Sequence, residues 1–450
     1  MKKSVAMLLC LLLLLATLSS CVSPKGADQP DAPDVEKEET EPETEEKEPE
    51  ENDPDDAEPL TGTEPVLALD GVAPIKHSAL GEDDRYTIAG GDTLSSYYEE
   101  PLSSFLGVCK HYQQKGWELY SYTVKNGNHF ATWTREAELA HLYWIACEEE
   151  LNVVTSANGA ATLPPKAPTV TDGGFTTNVT QLRSAADNGM GYITRLADGS
   201  FIVHDGGQAH CAEDLWNALF EQCDGAEEIL IRAWIITHGH GDHYPAFQTI
   251  ANEYNLDSVR LETVMISPVE TSGAYLTSDT GIIADVARFE GAKICYVHTG
   301  MTFRFCNVKV EILFTGDELW IAEPYRDEVL GEAQNQNNAS IISRIYTDEY
   351  SAIFLGDASE EAGLRLALYY GDYLKSDMCQ VAHHGVEDFP LIAYRFIKAA
   401  VLWFPCNSAL YNLTNRDKEV RDALANSRYT KEVIIRDFNT VTRDFGIYRE

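Results

Sequence analysis

The stretch that most constrains this chain is RAWIITHGHGDH, residues 232–243. Trp234, Ile235 and Ile236 form an apolar run that ends in Thr237, and the next six residues are His238-Gly239-His240-Gly241-Asp242-His243. An apolar run closed by glycines is the pattern of a strand buried on both faces that breaks into a loop. A strand end delivers side chains to one rim of a sheet. His238 and His240, two apart in extended backbone, project to the same side. Asp242 and His243 follow a glycine turn and can face a second centre. Imidazole and carboxylate are ligands that zinc, iron and manganese accept. The chain has only 12 histidines, and three in one hexapeptide point to a metal site rather than a polar turn.

A chain of 450 residues implies more than one folding unit. Its net charge of -38 is partly local: residues 28–58 hold 17 acidic side chains against Lys37 and Lys47. A chain this acidic repels polyanions at long range, which argues against a nucleic-acid partner. Residues 21–75 read as a disordered, proline-bearing acidic tether. Before it, Lys2 and Lys3, the apolar VAMLLCLLLLLATL and the small residues of LSSC have the layout of a targeting signal over residues 1–20. This segment resembles a bacterial lipoprotein signal, which implies cleavage before Cys21, diacylglycerol on its sulfur and a lipid-anchored protein on the extracellular face of the cytoplasmic membrane. An uncleaved membrane anchor is the other reading, and the short apolar run disfavours it. The eight cysteines beyond the signal are widely spaced and propose no particular disulfide.

Residues 80–160 read as a small α+β domain. PLSSFLGVCKHYQQKG has helical apolar spacing, and four strand-like runs follow, the first two separated by the turn signal KNGN. This unit carries no catalytic motif. After a linker at 158–174, residues 175–450 alternate strand-like and helix-like runs, which indicates α/β layering. Three further segments place polar residues at or near strand ends: FIVHDGG with Asp205, SAIFLGDAS with Asp357, and MCQVAHHG with His383 and His384. NNASIISRI adds Asn337 and Ser340. His204 alternates to the face opposite Asp205 and reads as packing.

Together these motifs resemble the metallo-β-lactamase-fold superfamily of metal-dependent hydrolases. Within it they are similar to the branch that includes the nuclease domain of competence-type DNA-uptake proteins and the choline-phosphate esterases. The resemblance spans residues 178–450 and implies an αββα sandwich with a metal centre at one edge. It implies metal ligation by His238, His240, Asp242, His243, Asp357 and His383, with His384 as neighbour or substitute. Asp357 would bridge two metals, Asp205 would brace the ligand loop, and Asn337 and Ser340 would contact the motif loops or substrate. The implied cofactor is zinc, two ions, with manganese or iron as substitutes, and the implied catalytic residues are Asp242 and Asp357 acting with a metal-bound hydroxide.

The chain departs from the family pattern in two ways. No histidine occupies the segment VEILFTGDELW, where most of the superfamily supplies a third ligand to the first metal. His298 comes one strand too early, and Asp317 is the nearby carboxylate. The residue after His-His-Gly is Val386 rather than serine, followed by Glu387 and Asp388, and that added negative charge disfavours a polyphosphate backbone. The resulting expectation is a surface-anchored hydrolase of a small-molecule or envelope phosphoester, such as a phosphocholine or teichoic-acid headgroup. The alternatives are an extracellular nuclease of the same superfamily and a non-catalytic metal-binding surface lipoprotein.

Overall fold

The alternating runs resolve into three sheets in a computed structural model, which describes residues 65–81, 83–166, 173–183, 188–267, 279–318, 333–386, 389–414, 417–437 and 439–448. The signal segment, Cys21 and the acidic run lie outside the described residues, as do Glu387 and Asp388.

Residues 83–156 form a six-stranded antiparallel sheet. Its spatial order is Asp83–Thr87, Thr93–Tyr97, Glu150–Ser156, Glu138–Ile145, Asn128–Arg135, Glu118–Lys125. The KNGN signal is a two-residue hairpin with Asn126 and Gly127 both at positive φ, the backbone such turns demand. Strand alternation sends Ala131, Leu142 and Val153 to one face, under helix Leu102–Gln114. It sends Phe130, Tyr143 and Val154 to the other face.

The remaining strands form two facing sheets. The first has the order Lys293–Tyr296, Thr263–Ile266, Ile229–Ile235, Phe201–Asp205, Gly191–Arg195, Asn178–Gln181, Val441–Asp444, with Val259–Leu261 also paired to Ile229–Ile235. Its first four strands run parallel. The second has the order Thr302–Phe305, Val308–Phe314, Ile342–Tyr346, Ser351–Phe354, Met378–Gln380, Val401–Phe404, Glu432–Ile435. Ile202, Ile235, Val310, Ile345, Phe354 and Trp403 fill the space between the two sheets. Helices Ala212–Gln222, Pro245–Glu253 and Asp279–Val286 cover the outer face of the first sheet, where Leu215, Phe247 and Ile282 meet Val203 and Trp234. Helices Glu360–Tyr370 and Leu391–Ile397 cover the second. This is an α/β sandwich of αββα type. Burial of Ile229–Ile235 on both faces explains why its sequence is an apolar run rather than an alternation.

The six-stranded sheet shares a core with the sandwich. Phe130, Tyr143 and Val154 pack with Leu313, Ile353 and Leu366. Polar contacts fix the docking: Lys125 Nζ donates to the Gly300 carbonyl at 3.0 Å, Asn128 Nδ2 to the Tyr369 carbonyl at 2.7 Å, and His141 Nε2 meets the Thr299 carbonyl at 2.8 Å. No disulfide joins the eight cysteines of the described residues. No helix among those residues is long and apolar enough to cross a membrane.

Candidate metal centre

The site assembles where parallel strands of both sheets end, the position at which open α/β sheets bind ligands. Phe201–Asp205 ends on Asp205, buried and at φ 52°. Its carboxylate accepts from the Thr237 N–H and hydroxyl, both at 2.7 Å, and lies 2.7 Å from His243 Nδ1. Asp205 therefore ties together the start and the end of the His238–His243 loop. The loop closes on itself through the His243 and Tyr244 N–H groups, both donating to the His240 carbonyl at 3.2 Å.

From the second sheet, Ser351–Phe354 leads into Gly356 and Asp357. The Gln380 side-chain oxygen accepts from the Leu355 and Gly356 N–H groups at 2.7 and 2.8 Å and pins that turn. Ser340 Oγ accepts from the Asp357 N–H at 3.1 Å and lies 3.4 Å from His238 Nδ1. Gly356, at φ 58°, has no room for a side chain: a Cβ there would stand 2.9 Å from that of Ser340.

The segment MCQVAHHG, whose histidines the sequence places at or near a strand end, does not stay extended as far as them. The strand stops at Gln380, and Ala382–Gly385 is a tight turn with His383 and His384 both left-handed, at φ 45° and 57°. Strand alternation therefore does not decide which histidine faces the site. His384 Nδ1 meets the Pro405 carbonyl at 2.9 Å, and its Nε2 lies 3.2 Å from Asp357 Oδ2 and 3.1 Å from Asp242 Oδ2. His383 stands further off, with Nε2 3.9 Å from Asp357 Oδ2 and 3.3 Å from the Asn337 amide.

Asp242, His243, Asp357 and His384 can each present one ligand atom such that all lie within 4.8 Å of one another. His243 Nε2 is 3.1 Å from Asp357 Oδ2. The His238 ring packs 4.1 Å from that of His243 and 4.6 Å from that of His240, centroid to centroid, beside the four-donor group. The donor set fits a borderline divalent cation. His238, His243 and His384 each keep a buried Nε2 with no hydrogen bond, as does Asp357 Oδ1. Buried polar atoms are normally satisfied, so orphans converging on one point are what a cation site leaves. Backbone or carboxylate acceptors at Nδ1 of His384 and His243 fix the tautomer that turns Nε2 inward.

The electrostatics agree with that geometry. Burial opposes ionisation throughout. It lowers His238 well below the ordinary histidine value, and neighbouring His243 adds to this. For His384, Asp357 and Asp242 outweigh burial and raise it to about 9. His243 is raised well above its usual value by Asp357, Asp205 and Asp242 against burial. Asp357 and Asp242 sit well below the usual carboxylate range, because facing imidazoles overcome their burial. Carboxylates and imidazoles thus balance one another's charge, and a cation bound there would displace the imidazole protons.

His298 and Asp317 are not in the four-donor group. They pair with each other, Nδ1 to Oδ2 at 2.8 Å, and His298 Nε2 lies 3.6 Å from Asp92, in the turn just before strand Thr93–Tyr97 of the six-stranded sheet. His204 lies between the two sheets, stacked on Phe354 with its Nε2 2.9 Å from Ser343 Oγ. Two residues that sequence reasoning missed support the site: Gln380, described above, and Asn188, whose amide donates to Asp242 Oδ2 at 2.6 Å. Neither stands in a pattern that a sequence reader could distinguish from an ordinary turn or strand residue.

Fold and site together define an αββα sandwich with a candidate metal centre at one edge. Residues 225–391 match the family model described as the metallo-beta-lactamase superfamily. Solved structures similar to the chain include the metallo-beta-lactamase fold protein YhfI from Bacillus subtilis, 11% identical, covering 60% of this chain and 100% of that one, TM-score 0.39. Zinc-bound PqqB from Methylobacterium extorquens is 12% identical over 59% of this chain and 99% of its own, TM-score 0.35. A diphosphatase of the PhnP family is 10% identical over 60% and 98%, TM-score 0.33. No curated protein matches the chain.

Proposed function

We propose that this protein is a metal-dependent hydrolase of a phosphoester, with its chemistry centred on Asp242, His243, Asp357 and His384. The observation that carries the reading is the convergence of buried, unsatisfied imidazole nitrogens and a carboxylate oxygen on one point. A zinc-class cation held there would activate water and polarise the substrate's oxygen as a Lewis acid. Asp357 lies against His243, His384 and, less closely, His383, and links the two halves of the site. His238 and His240 offer a further pair of imidazoles, so a second ion would bind there with fewer protein donors and more weakly than the first. His383, 12% exposed at its side chain, stands at the rim within reach of a bound substrate.

The acidic tether and the lipoprotein-like signal support a surface location, with the chain held by lipid on Cys21 and acting on a phosphodiester of the envelope or surroundings. The overall charge of -38 favours a small substrate over a nucleic acid. The test is turnover of bis(p-nitrophenyl) phosphate, p-nitrophenyl phosphocholine and plasmid DNA by the full chain with added zinc, manganese or iron. Hydrolysis of the small diesters is expected. Turnover of DNA alone would make the protein an extracellular nuclease, and bound metal without any turnover would make it a binding protein. Anchoring is tested separately by whether Cys21→Ala releases the protein from membranes.

A further inference from the structure

The segment Asn188-Gly189-Met190 lies outside every motif that pointed to the metal centre, yet it touches Asp242 directly and reaches His384 through a shared carbonyl. Asn188 Nδ2 donates to Asp242 Oδ2 at 2.6 Å, and the Met190 N–H donates to the Asp242 carbonyl at 2.9 Å. The Gly189 N–H donates at 3.2 Å to the Pro405 carbonyl, the same oxygen that lies 2.9 Å from His384 Nδ1. An antiparallel bridge joins Asn188 to Cys406, just beyond strand Val401–Phe404 of the second sheet. One short segment thus holds Asp242 of the first sheet directly and, through the Pro405 carbonyl, is tied to the backbone that orients His384 of the second.

The segment is itself clamped. Buried Arg436 donates to the carbonyls of Gly189 and Leu182. Its guanidinium fills the space beside Gly189, where a Cβ would come within 2.5 Å of Nη1. Gly189 also has φ 140°, a conformation that side-chain-bearing residues rarely adopt. No carboxylate among the described residues forms an ion pair with Arg436; it donates to the backbone carbonyls of Leu182, Arg183 and Gly189 and to Cys211 Sγ, and so holds the loop.

The chemistry of the donor matters. A carboxylate that must serve a cation needs its orientation fixed without having its charge neutralised. A lysine or arginine against Asp242 would cancel the charge, whereas an amide N–H holds one oxygen and leaves the net charge intact. We infer that Asn188 is a positioning residue for the metal centre: its amide sets the orientation of Asp242, and its segment sets the spacing between Asp242 and His384. This rests on the reading of those two residues as metal ligands.

The experiment measures zinc affinity of the full chain by competition with a chromophoric chelator, alongside the thermal midpoint of the metal-free protein. The variants are Asn188→Ala, the similarly sized and uncharged Asn188→Leu, and Asp242→Ala. Both Asn188 variants are expected to bind zinc 10–100-fold more weakly, as loss of an outer partner of a ligand does, with the metal-free midpoint unchanged. Asp242→Ala should lose more. If Asn188→Ala does not fold, Asn188→Leu, close in size but lacking the N–H donors, decides. Wild-type affinity in the foldable Asn188 variants, with Asp242→Ala impaired, would overturn the inference and leave the site reading intact. A loss of affinity that only tracks a drop in the metal-free midpoint would also overturn it. No zinc binding by the wild type, or none lost in Asp242→Ala, would overturn the site reading itself.

Discussion

Two successive left-handed residues, neither of them glycine, cost about 1–3 kcal/mol each, and at His383 and His384 this backbone decides which imidazole reaches the carboxylates. The turn carries His384 inward over Asp357 and Asp242 and leaves His383 at the rim. Gly385 completes the turn at φ 73°, with Phe404 packed where its Cβ would be. The two histidines are therefore expected to separate in a metal analysis. His384→Ala should lose the tightly held ion and lower turnover of a phosphodiester by more than about a hundredfold, beyond what an outer partner costs. His383→Ala should keep the ion and lose turnover to a smaller extent. Equal metal content in both variants, or the reverse order, would contradict the placement of His384. The sequence carried the warning only faintly: AHHG placed two candidate imidazole ligands together, but the strand before it ends after Gln380, and nothing in MCQVAHHG marks that end. The hexapeptide at 238–243 was legible because two glycines and an apolar lead-in state both its geometry and its chemistry.

At the level of elements, the docking of the six-stranded sheet rests on a few close fits. Gly300 lies under Phe130, and a Cβ there would stand 1.7 Å from the ring at a φ of 92°. Gly300→Ala should destabilise the protein by about 3 kcal/mol, from overpacking and backbone strain together, read as a lower urea midpoint. An unchanged midpoint would mean the two sheets slide apart freely. The same seam holds His298 between Asp317 and Asp92, with His141 stacked beside it at 6.3 Å. Burial alone lowers the His298 pKa, but the two carboxylates outweigh it and raise it to about 9, above the roughly 6.5 of an unfolded chain. The folded state binds this proton more tightly, so its contribution is complete below about pH 6.5 and is lost as pH rises through 9. Burial, reinforced by His298, lowers His141 to about 3 and keeps it neutral over that window. The stability difference between the wild type and His298→Gln should shrink between pH 6 and pH 9 by at most about 3 kcal/mol. A difference that stays flat across this range would show that the pair does not retain its proton. None of this seam was legible in the sequence, because its contacts join residues as far apart as Lys125 and Gly300, and hydrophobic periodicity reports only which face of a strand is buried, not what covers it.

Across the whole molecule, the four donors divide evenly between the two sheets. Asp242 and His243 follow Ile229–Ile235 of the first sheet, while Asp357 and His384 follow strands of the second. A cation bound by all four cross-links the sandwich at one edge, and in its absence the pocket holds two carboxylates and two imidazoles at close range. Metal should therefore act as a folding ligand. At free ion a thousandfold above its dissociation constant, binding adds about 4 kcal/mol to the stability of the native state. Removing metal with a chelator should lower the thermal midpoint by several degrees, and restoring zinc should recover it. The loss should be local. Hydrogen exchange should quicken at residues 188–190, 237–243, 355–358 and 382–386, where the loops meet. Strands Asn128–Arg135 and Glu138–Ile145, whose cores are made with helix Leu102–Gln114 and the outer face of the sandwich, should exchange at the same rate with and without metal. A uniform change over both regions would mean that the ion stabilises the chain without binding at this edge, and no change in either would remove the metal centre from the account.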